Sequence, residues 1–284
     1  MNPCIIMRSH NDLPIISETL QKLHSQSHPF ELICLDNEST DGTVGELRKY
    51  TNRVFNIPRG AYIPGRVLNM GMELSQGPLV VFLNSDCTPQ NSEWLTNLLS
   101  GFEEEEKVAA VFGRQIPRPN CNPLFAKDTE DTYGDGSRQK YWKHCFSMAS
   151  SAISRSVWEL FRFDEGLKYS EDIDWTWKAV QKGYKIKYVS DSVVMHSHNY
   201  TLKQLYRRHH GEGRAEANIF EWTIWERSFL RYSLAPYARQ ILSDWKYCVR
   251  HGFLLSALSS PITRLSQMIG RRQGFRQGLT EKAQ

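Results

Sequence analysis

The chain has 284 residues, a net charge of +4, 40% apolar and 23% charged residues. That balance excludes a disordered polymer, and so mild a charge gives no support to nucleic acid as the main partner. No unbroken apolar run approaches the roughly 20 residues of a membrane span, and the first residues enter a strand with no basic leader or cleavage site.

An apolar run over 4–7 predicts the first strand, and Arg8-Ser9-His10-Asn11-Asp12 breaks it. Asp12 and Pro14 then open a helix with Ile16, Leu20 and Leu23 on one face. Residues 30–35 form the next strand, ending in the polar stretch from Asp36 to Thr43. A helix through Val44, Leu47 and Tyr50, a strand over 53–57, a Gly/Pro loop over 59–65 and a helix over 67–75 follow. The run 79–83 is continuous rather than alternating, which predicts a strand buried on both faces, and it stops at Asn84-Ser85-Asp86. A helix carrying Trp94, Leu95, Leu98 and Leu99 precedes a strand over 108–112. Strands alternating with helices of this length predict an α/β fold with a mostly parallel, doubly wound sheet flanked by helices.

Residues 114–143 are rich in Pro, Asn, Asp and Gly and weak in periodicity, so they read as a long mobile loop beside a site. Sheet character resumes over 146–153. Ser170 opens a helix with Glu171 and Asp172 in its first turn, Ile173, Trp177 and Val180 on its buried face, and Gly183 at its end. Two short strands, 185–189 and 192–195, lead to His196-Ser197-His198. Beyond Asn199 the composition shifts to aromatic helical segments and a basic tail with Arg264, Arg271, Arg272 and Arg276. The boundary is placed at residue 200: a nucleotide-binding domain over 1–200, then a helical extension over 201–284. Six scattered cysteines (Cys4, Cys34, Cys87, Cys121, Cys145, Cys248) lack a CxxC pair and fit a reducing cytoplasm. Cys4 and Cys34, inside apolar runs, read as buried thiols.

Four polar clusters fall where strands should end: Asp36 to Asp41, Asn84 to Asp86, Glu171-Asp172, and His196 to His198. An open α/β sheet places its ligand at the carboxyl ends of its strands. Each cluster alone has a plainer role. Asp86, Asp36 and Asp41 suit turns and helix caps, Glu171 and Asp172 suit a helix N-terminus, and the histidines suit a strand edge. Taken together they supply acids for a nucleotide, a carboxylate for a hard cation, a candidate base and a candidate imidazole ligand.

Several stretches carry a family resemblance. LDNESTDGT resembles the VDxSSTDGT nucleotide motif of family 2 glycosyltransferases of the GT-A fold, and IIMRSHND resembles their first strand and loop. GRVLNMGMELSQGPLVVFLNSDCTP resembles their RNxGxxxAxGxxLxFLxxDxxP segment, and VAAVFGRQIP looks like a run of the bacterial rhamnosyltransferase-like members. FDEGLKYSEDIDWTWKAVQKGYKIKYV and VVMHSHNYTLKQ resemble the acceptor-side and closing His motifs. The resemblance covers residues about 1 to 205 in the family's order. It departs at Asn84, where the metal triplet is often DxD, and at Arg66, whose spacing to Asn69 and Gly71 is wider than in RNxG.

The resemblance implies an inverting, metal-dependent glycosyltransferase of bacterial surface polysaccharide synthesis. Its donor would be a dTDP-, UDP- or GDP-linked sugar, its acceptor a glycan or lipid-linked hydroxyl, and its cofactor a divalent cation, Mn2+ or Mg2+. Asp172 would be the base. Arg8, Asn11, Asp12, Asp36, Glu38, Arg66, Asn69, Asn84, Ser85 and Asp86 would meet the donor. Glu171, Arg114 and Trp175 would lie on the acceptor side, and Asp86, His196 and His198 would hold the metal. Asn84 keeps a second reading open, a non-catalytic sugar-nucleotide sensor or scaffold. A dinucleotide oxidoreductase is excluded, because no GxGxxG follows the first strand. Trp222, Trp225, Phe229 and Tyr232 beside Arg227 and Arg231 read either as an interfacial helix at the inner membrane of a cytoplasmic protein or as packing of the C-terminal helices.

Overall fold

The computed structural model describes residues 2–103, 106–137, 139 and 143–282. The chain divides into two compact units, one formed by 1–117 with 130–196 and one by 118–129 with 197–284. The second unit therefore includes 118–129 and 197–200, which the sequence-based boundary at 200 assigned to the first domain.

The first unit is built on an eight-stranded sheet ordered β3-β2-β1-β4-β7-β6-β8-β5. Its strands are β1 (Cys4–Ser9), β2 (Glu31–Asp36), β3 (Val54–Asn56), β4 (Leu79–Asn84), β5 (Thr88–Pro89), β6 (Val108–Ile116), β7 (Ser150–Ser154) and β8 (Lys185–Met195). Strands β1 to β4 pair in parallel; β7 enters antiparallel to both β4 and β6, and β6 and β8 are parallel. Strands β1, β2, β4, β6 and β8 therefore all run the same way and end on one edge. Strand β7 begins at that edge.

Both faces are covered, which explains the unbroken apolar runs. On β1, Cys4 and Ile6 face one core with Phe82, Leu68, Met72, Trp158 and Trp175, and Ile5 and Met7 face the other with Ile16, Leu20, Trp94 and Leu95. The helices supplying these residues include α1 (Ile15–His24), α3 (Pro64–Leu74), α4 (Trp94–Ser100), α6 (Arg155–Leu160) and α7 (Glu171–Gln181); α2 (Thr43–Leu47) is a single short turn.

Three local expectations need correction. Strand β6 runs past Phe112 to Ile116, and the two short C-terminal strands are one, β8, with an irregularity where Gly113 gives way to Arg114. A side chain at Gly113 would strike the Ser192 carbonyl, so only glycine lets the strands approach there. The expected mobile loop over 114–143 contains helix α5 (Pro123–Tyr133). Its periodicity was masked because its inward residues are Leu124 and Lys127, the latter buried by an ion pair with Asp244 at 3.3 Å. Residues 138 and 140–142 of that segment lie outside the described residues. On α7 the buried residues are Glu171, Asp174, Trp175, Thr176 and Ala179, with 171, 175 and 179 spaced four apart, while the expected Ile173 and Trp177 are half-buried and Val180 is exposed.

The second unit is helical: α8 (Leu202–Ile219), α9 (Ala235–His251) and α10 (Leu254–Lys282), with a π-helical turn Leu230–Leu234 running into α9. A Cβ on Gly274 would strike the His210 carbonyl, and one on Gly213 the Arg271 carbonyl, so α8 and α10 pack backbone to backbone. The expected basic tail is part of helix α10, and its arginines differ: Arg276 is exposed and Arg272 half-buried, but two make ion pairs within the unit. Arg264 is buried, donating to Asp244 and Asp128, and Arg271 makes a forked contact with Glu216. Trp222 and Tyr232 pack on Phe275.

Candidate active site

The common strand edge gathers most of the expected residues. At the end of β2, Asp36 is buried, and its carboxylate accepts from the Ser9 hydroxyl at 2.8 Å and from the Ser39 amide and hydroxyl at 2.8 and 2.6 Å. It thereby folds the 37–41 loop over the ends of β1 and β2. Glu38 and Asn11 both take a left-handed backbone there (φ 49° and 54°). Asn11 Oδ1 accepts from the Thr40 amide, and Glu38 Oε2 from the Arg59 amide. Asp12 accepts from the His10 amide at 2.7 Å and from the Ser85 hydroxyl. Burial raises its pKa, and the charge of Asp86 raises it further.

At the paired ends of β1 and β4, Arg8 lies opposite Asn84 in register, and its Nη2 donates to Asn84 Oδ1 at 2.8 Å. Its Nη1 lies 3.9 Å from Glu171 Oε1. The Asn84 side-chain oxygen is thus engaged by an arginine. Asp172 accepts from its own neighbour Ile173 N–H at 2.9 Å and from Met148 N–H at 3.2 Å, just before β7, while Ala149 accepts from Asn84 N–H. The start of α7 is tied in this way to the end of β4. Burial raises both carboxyls, and the neighbouring Asp172 charge helps push Glu171 up to about 7.

Beyond this, Asp86 Oδ2 lies 3.6 Å from His196 Nε2. Among the described residues Asp86, Cys87 and His196 form the cluster able to hold a cation. Gln115 Oε1 accepts from His196 Nδ1 at 2.7 Å, and the Gln115 amide nitrogen donates to Ser147 Oγ at 2.9 Å. An oxygen can only accept, so Nδ1 carries the proton and the Nε2 lone pair faces Asp86. A carboxylate beside an Nε2 lone pair can hold a divalent cation. The buried Cys87 thiol, 3.9 Å from Asp86 Oδ1, suits a softer ion and is read as a donor to Asp86. Sequence reasoning missed Gln115 because it ended β6 at Phe112. His198 belongs to the second unit, its ring against Tyr200.

Two expected residues fall elsewhere. Trp175 is fully buried, donates to the Phe161 carbonyl at 2.8 Å and lies against Phe161 and Phe163, so it is core rather than acceptor-side. Asn69 is also buried: it accepts from Trp158 Nε1 and Phe163 N–H and donates to Phe163 O and Glu165 Oε1. All its hydrogen-bonding capacity is used, so it clamps the 163–165 turn onto α3 instead of meeting a donor. Arg66, half exposed, pairs with the same Glu165 at 3.3 Å. Arg114 and Gln115 border a cavity of about 440 Å3 with Glu130, Asp131 and Asp135, and the buried Arg114 Nε has no hydrogen-bond partner among the described residues.

An α/β sheet whose carboxyl edge carries these groups, with a helical extension, has the GT-A glycosyltransferase architecture. The fold matches mannosyltransferase PcManGT from Pyrobaculum calidifontis, solved with GDP-Man and Mn2+, at a TM-score of 0.65 and 18% identity over 100% of this chain and 89% of that one. The family model for glycosyl transferase family 2 matches residues 4–161. The chain belongs to that family. It is 33% identical over 198 residues to the O-antigen chain rhamnosyltransferase WbaN of Salmonella anatum, covering 66% of this chain and 62% of that protein. To the O-antigen chain rhamnosyltransferase RfbN of Salmonella typhimurium it is 30% identical over 226 residues, covering 75% and 72%.

Proposed function

We propose that this chain transfers a sugar, with inversion, from a nucleotide-diphosphate donor to a hydroxyl of a glycan or lipid-linked acceptor in bacterial surface polysaccharide assembly. The observation that carries this is the Asp86–His196 pair on the same sheet edge as the Arg8, Asn84, Glu171 and Asp172 cluster. The two rhamnosyltransferase relatives support rhamnose as the sugar.

The roles follow from the chemistry. Asp36, with the loop it holds, faces the base and ribose. Asp86 and His196 would hold the divalent cation, whose charge would stabilise the leaving diphosphate. An alcohol is a weak nucleophile at neutral pH, so Asp172 takes its proton as the oxygen bonds to the anomeric carbon. The sugar–phosphate C–O bond breaks on the opposite face, and the nucleoside diphosphate departs with that electron pair. One displacement with one base inverts the anomeric centre. Arg8 steadies Asn84 and tempers Glu171. The Arg114 cavity takes the acceptor, whose hydroxyls suit its acids.

Asn84 does not argue for a non-catalytic scaffold, because its partner is Arg8 rather than a missing charge at the metal. We place the protein in the cytoplasm, beside the inner membrane. Incubation with dTDP-, UDP- and GDP-sugars, with and without Mn2+, tests the whole. One nucleotide class should raise the melting temperature in a metal-dependent way and be consumed with acceptor present. A chain that neither binds nor consumes any of them overturns the proposal.

A further inference from the structure

The second unit carries an apolar surface that its own fold leaves uncovered. On α9 Leu242, Trp245 and Val249 share one face and are exposed, Val249 to 67%. The stripe continues through Phe253 and Leu254 to Leu255 and Leu258, which are 83% and 79% exposed, and to Ile262. Globular proteins rarely leave so many large apolar side chains contiguous in water.

The charges beside it indicate what covers it. Arg239, Lys246 and Arg250 are exposed, each one position after Ala238, Trp245 and Val249 of the stripe. One position is about 100° around the helix, so all three line the same flank. The one acid of α9, Asp244, is buried against Arg264 and Ser260, so the helix presents no negative side chain to its surroundings. No helix among the described residues is long and apolar enough to cross a membrane. An apolar stripe with a basic flank suits a helix lying in the headgroup region of an anionic bilayer. A second copy would instead bring like-charged flanks together.

We propose that the face formed by α9 and the start of α10 docks on an anionic lipid surface, with Phe253, Leu254, Leu255 and Leu258 inserted. Of the segment expected to make the membrane contact, Trp222 and Tyr232 are packed against Phe275 while Trp225 and Phe229 are exposed, so the α9–α10 face adds a second apolar surface to that segment. It extends the proposed use of a lipid-linked acceptor but is read from the second unit alone, independently of the transfer chemistry.

Flotation of the full chain with phosphatidylcholine vesicles, with and without phosphatidylglycerol, tests it. The parent should float with the anionic vesicles and lose binding as salt is raised. Leu255→Asp/Leu258→Asp, at exposed positions that leave the core intact, should lower partitioning by at least about tenfold. Arg239→Gln/Lys246→Gln/Arg250→Gln should lower it roughly fivefold per charge, on anionic vesicles only. Asp86→Ala should float like the parent, which separates this proposal from the catalytic one. A parent that stays unbound, or variants that float equally well, would overturn it. So would vesicle-free self-association abolished by the Leu255/Leu258 variant, which would make a second copy the occupant.

Discussion

Gln115 Oε1 accepts the Nδ1 proton of His196 at 2.7 Å, and this bond decides which imidazole nitrogen faces Asp86. The two residues come from the ends of parallel neighbours, β6 and β8, past the irregularity at Gly113. Gln115→Met keeps the length of the side chain and removes the acceptor. Mn2+ affinity measured by calorimetry should fall about 10- to 100-fold with the fold intact, the usual cost of losing the group behind a ligating histidine. Unchanged affinity would assign Gln115 to packing alone.

Asp86 is the one carboxylate in the cation cluster. Asp86→Ala should abolish Mn2+-dependent donor binding while leaving the melting temperature near that of the parent, since its side chain is partly exposed at the strand edge. A variant that binds metal and donor like the parent would remove the cation from this edge.

Much of this edge was legible in the sequence because apolar runs end where polar clusters begin, a pattern set by burial along β1, β2 and β4. The donor role given to Asn69 was not a sound inference, because a buried amide and an exposed one look alike in a motif. Trp175 shows the same ambiguity, since a tryptophan suits a sugar platform and a core equally well. Helix α5 stayed hidden because Lys127 occupies an inward position that only a distant partner, Asp244, makes tolerable. Gln115 could have been found by alternation had β6 been carried four residues further.

Asp172 works as a base only when ionised, and burial holds its pKa above the usual carboxylate range. Transfer should therefore gain rate as pH rises through that raised value and lose it below. Asp172→Asn should lower the rate by about 10²- to 10⁴-fold with donor affinity retained. A full-rate Asp172→Asn enzyme would reject the assignment, and loss of rate in Glu171→Gln alone would move the role back one residue.

Glu171 gives a separate signal in stability. Its folded pKa, about 7, lies above the ordinary glutamate value of 4.5. The folded chain thus holds a proton that the unfolded chain releases. The stability this confers is complete below the unfolded pKa and is lost as pH rises through about 7. Glu171→Gln cannot ionise, so it should gain on the parent at alkaline pH by on the order of 1–3 kcal/mol, with little gain in acid. Urea denaturation at both ends of that range measures it, and parallel stability curves would contradict the raised pKa.

The clamp at Asn69 separates a structural role from a binding one. Its amide satisfies Trp158 Nε1 and both backbone groups of Phe163, and it reaches Glu165, which also pairs with Arg66. Asn69→Leu preserves volume but leaves the indole N–H and the Phe163 groups without partners in the core. Each of these three unsatisfied buried groups costs about 1–3 kcal/mol, so a total loss of at least about 3 kcal/mol is expected in chemical denaturation. Below the unfolding transition, the donor dissociation constant should match that of the parent, because no polar atom of Asn69 is left to offer a ligand. A variant that keeps its stability and loses donor affinity would return Asn69 to the binding site.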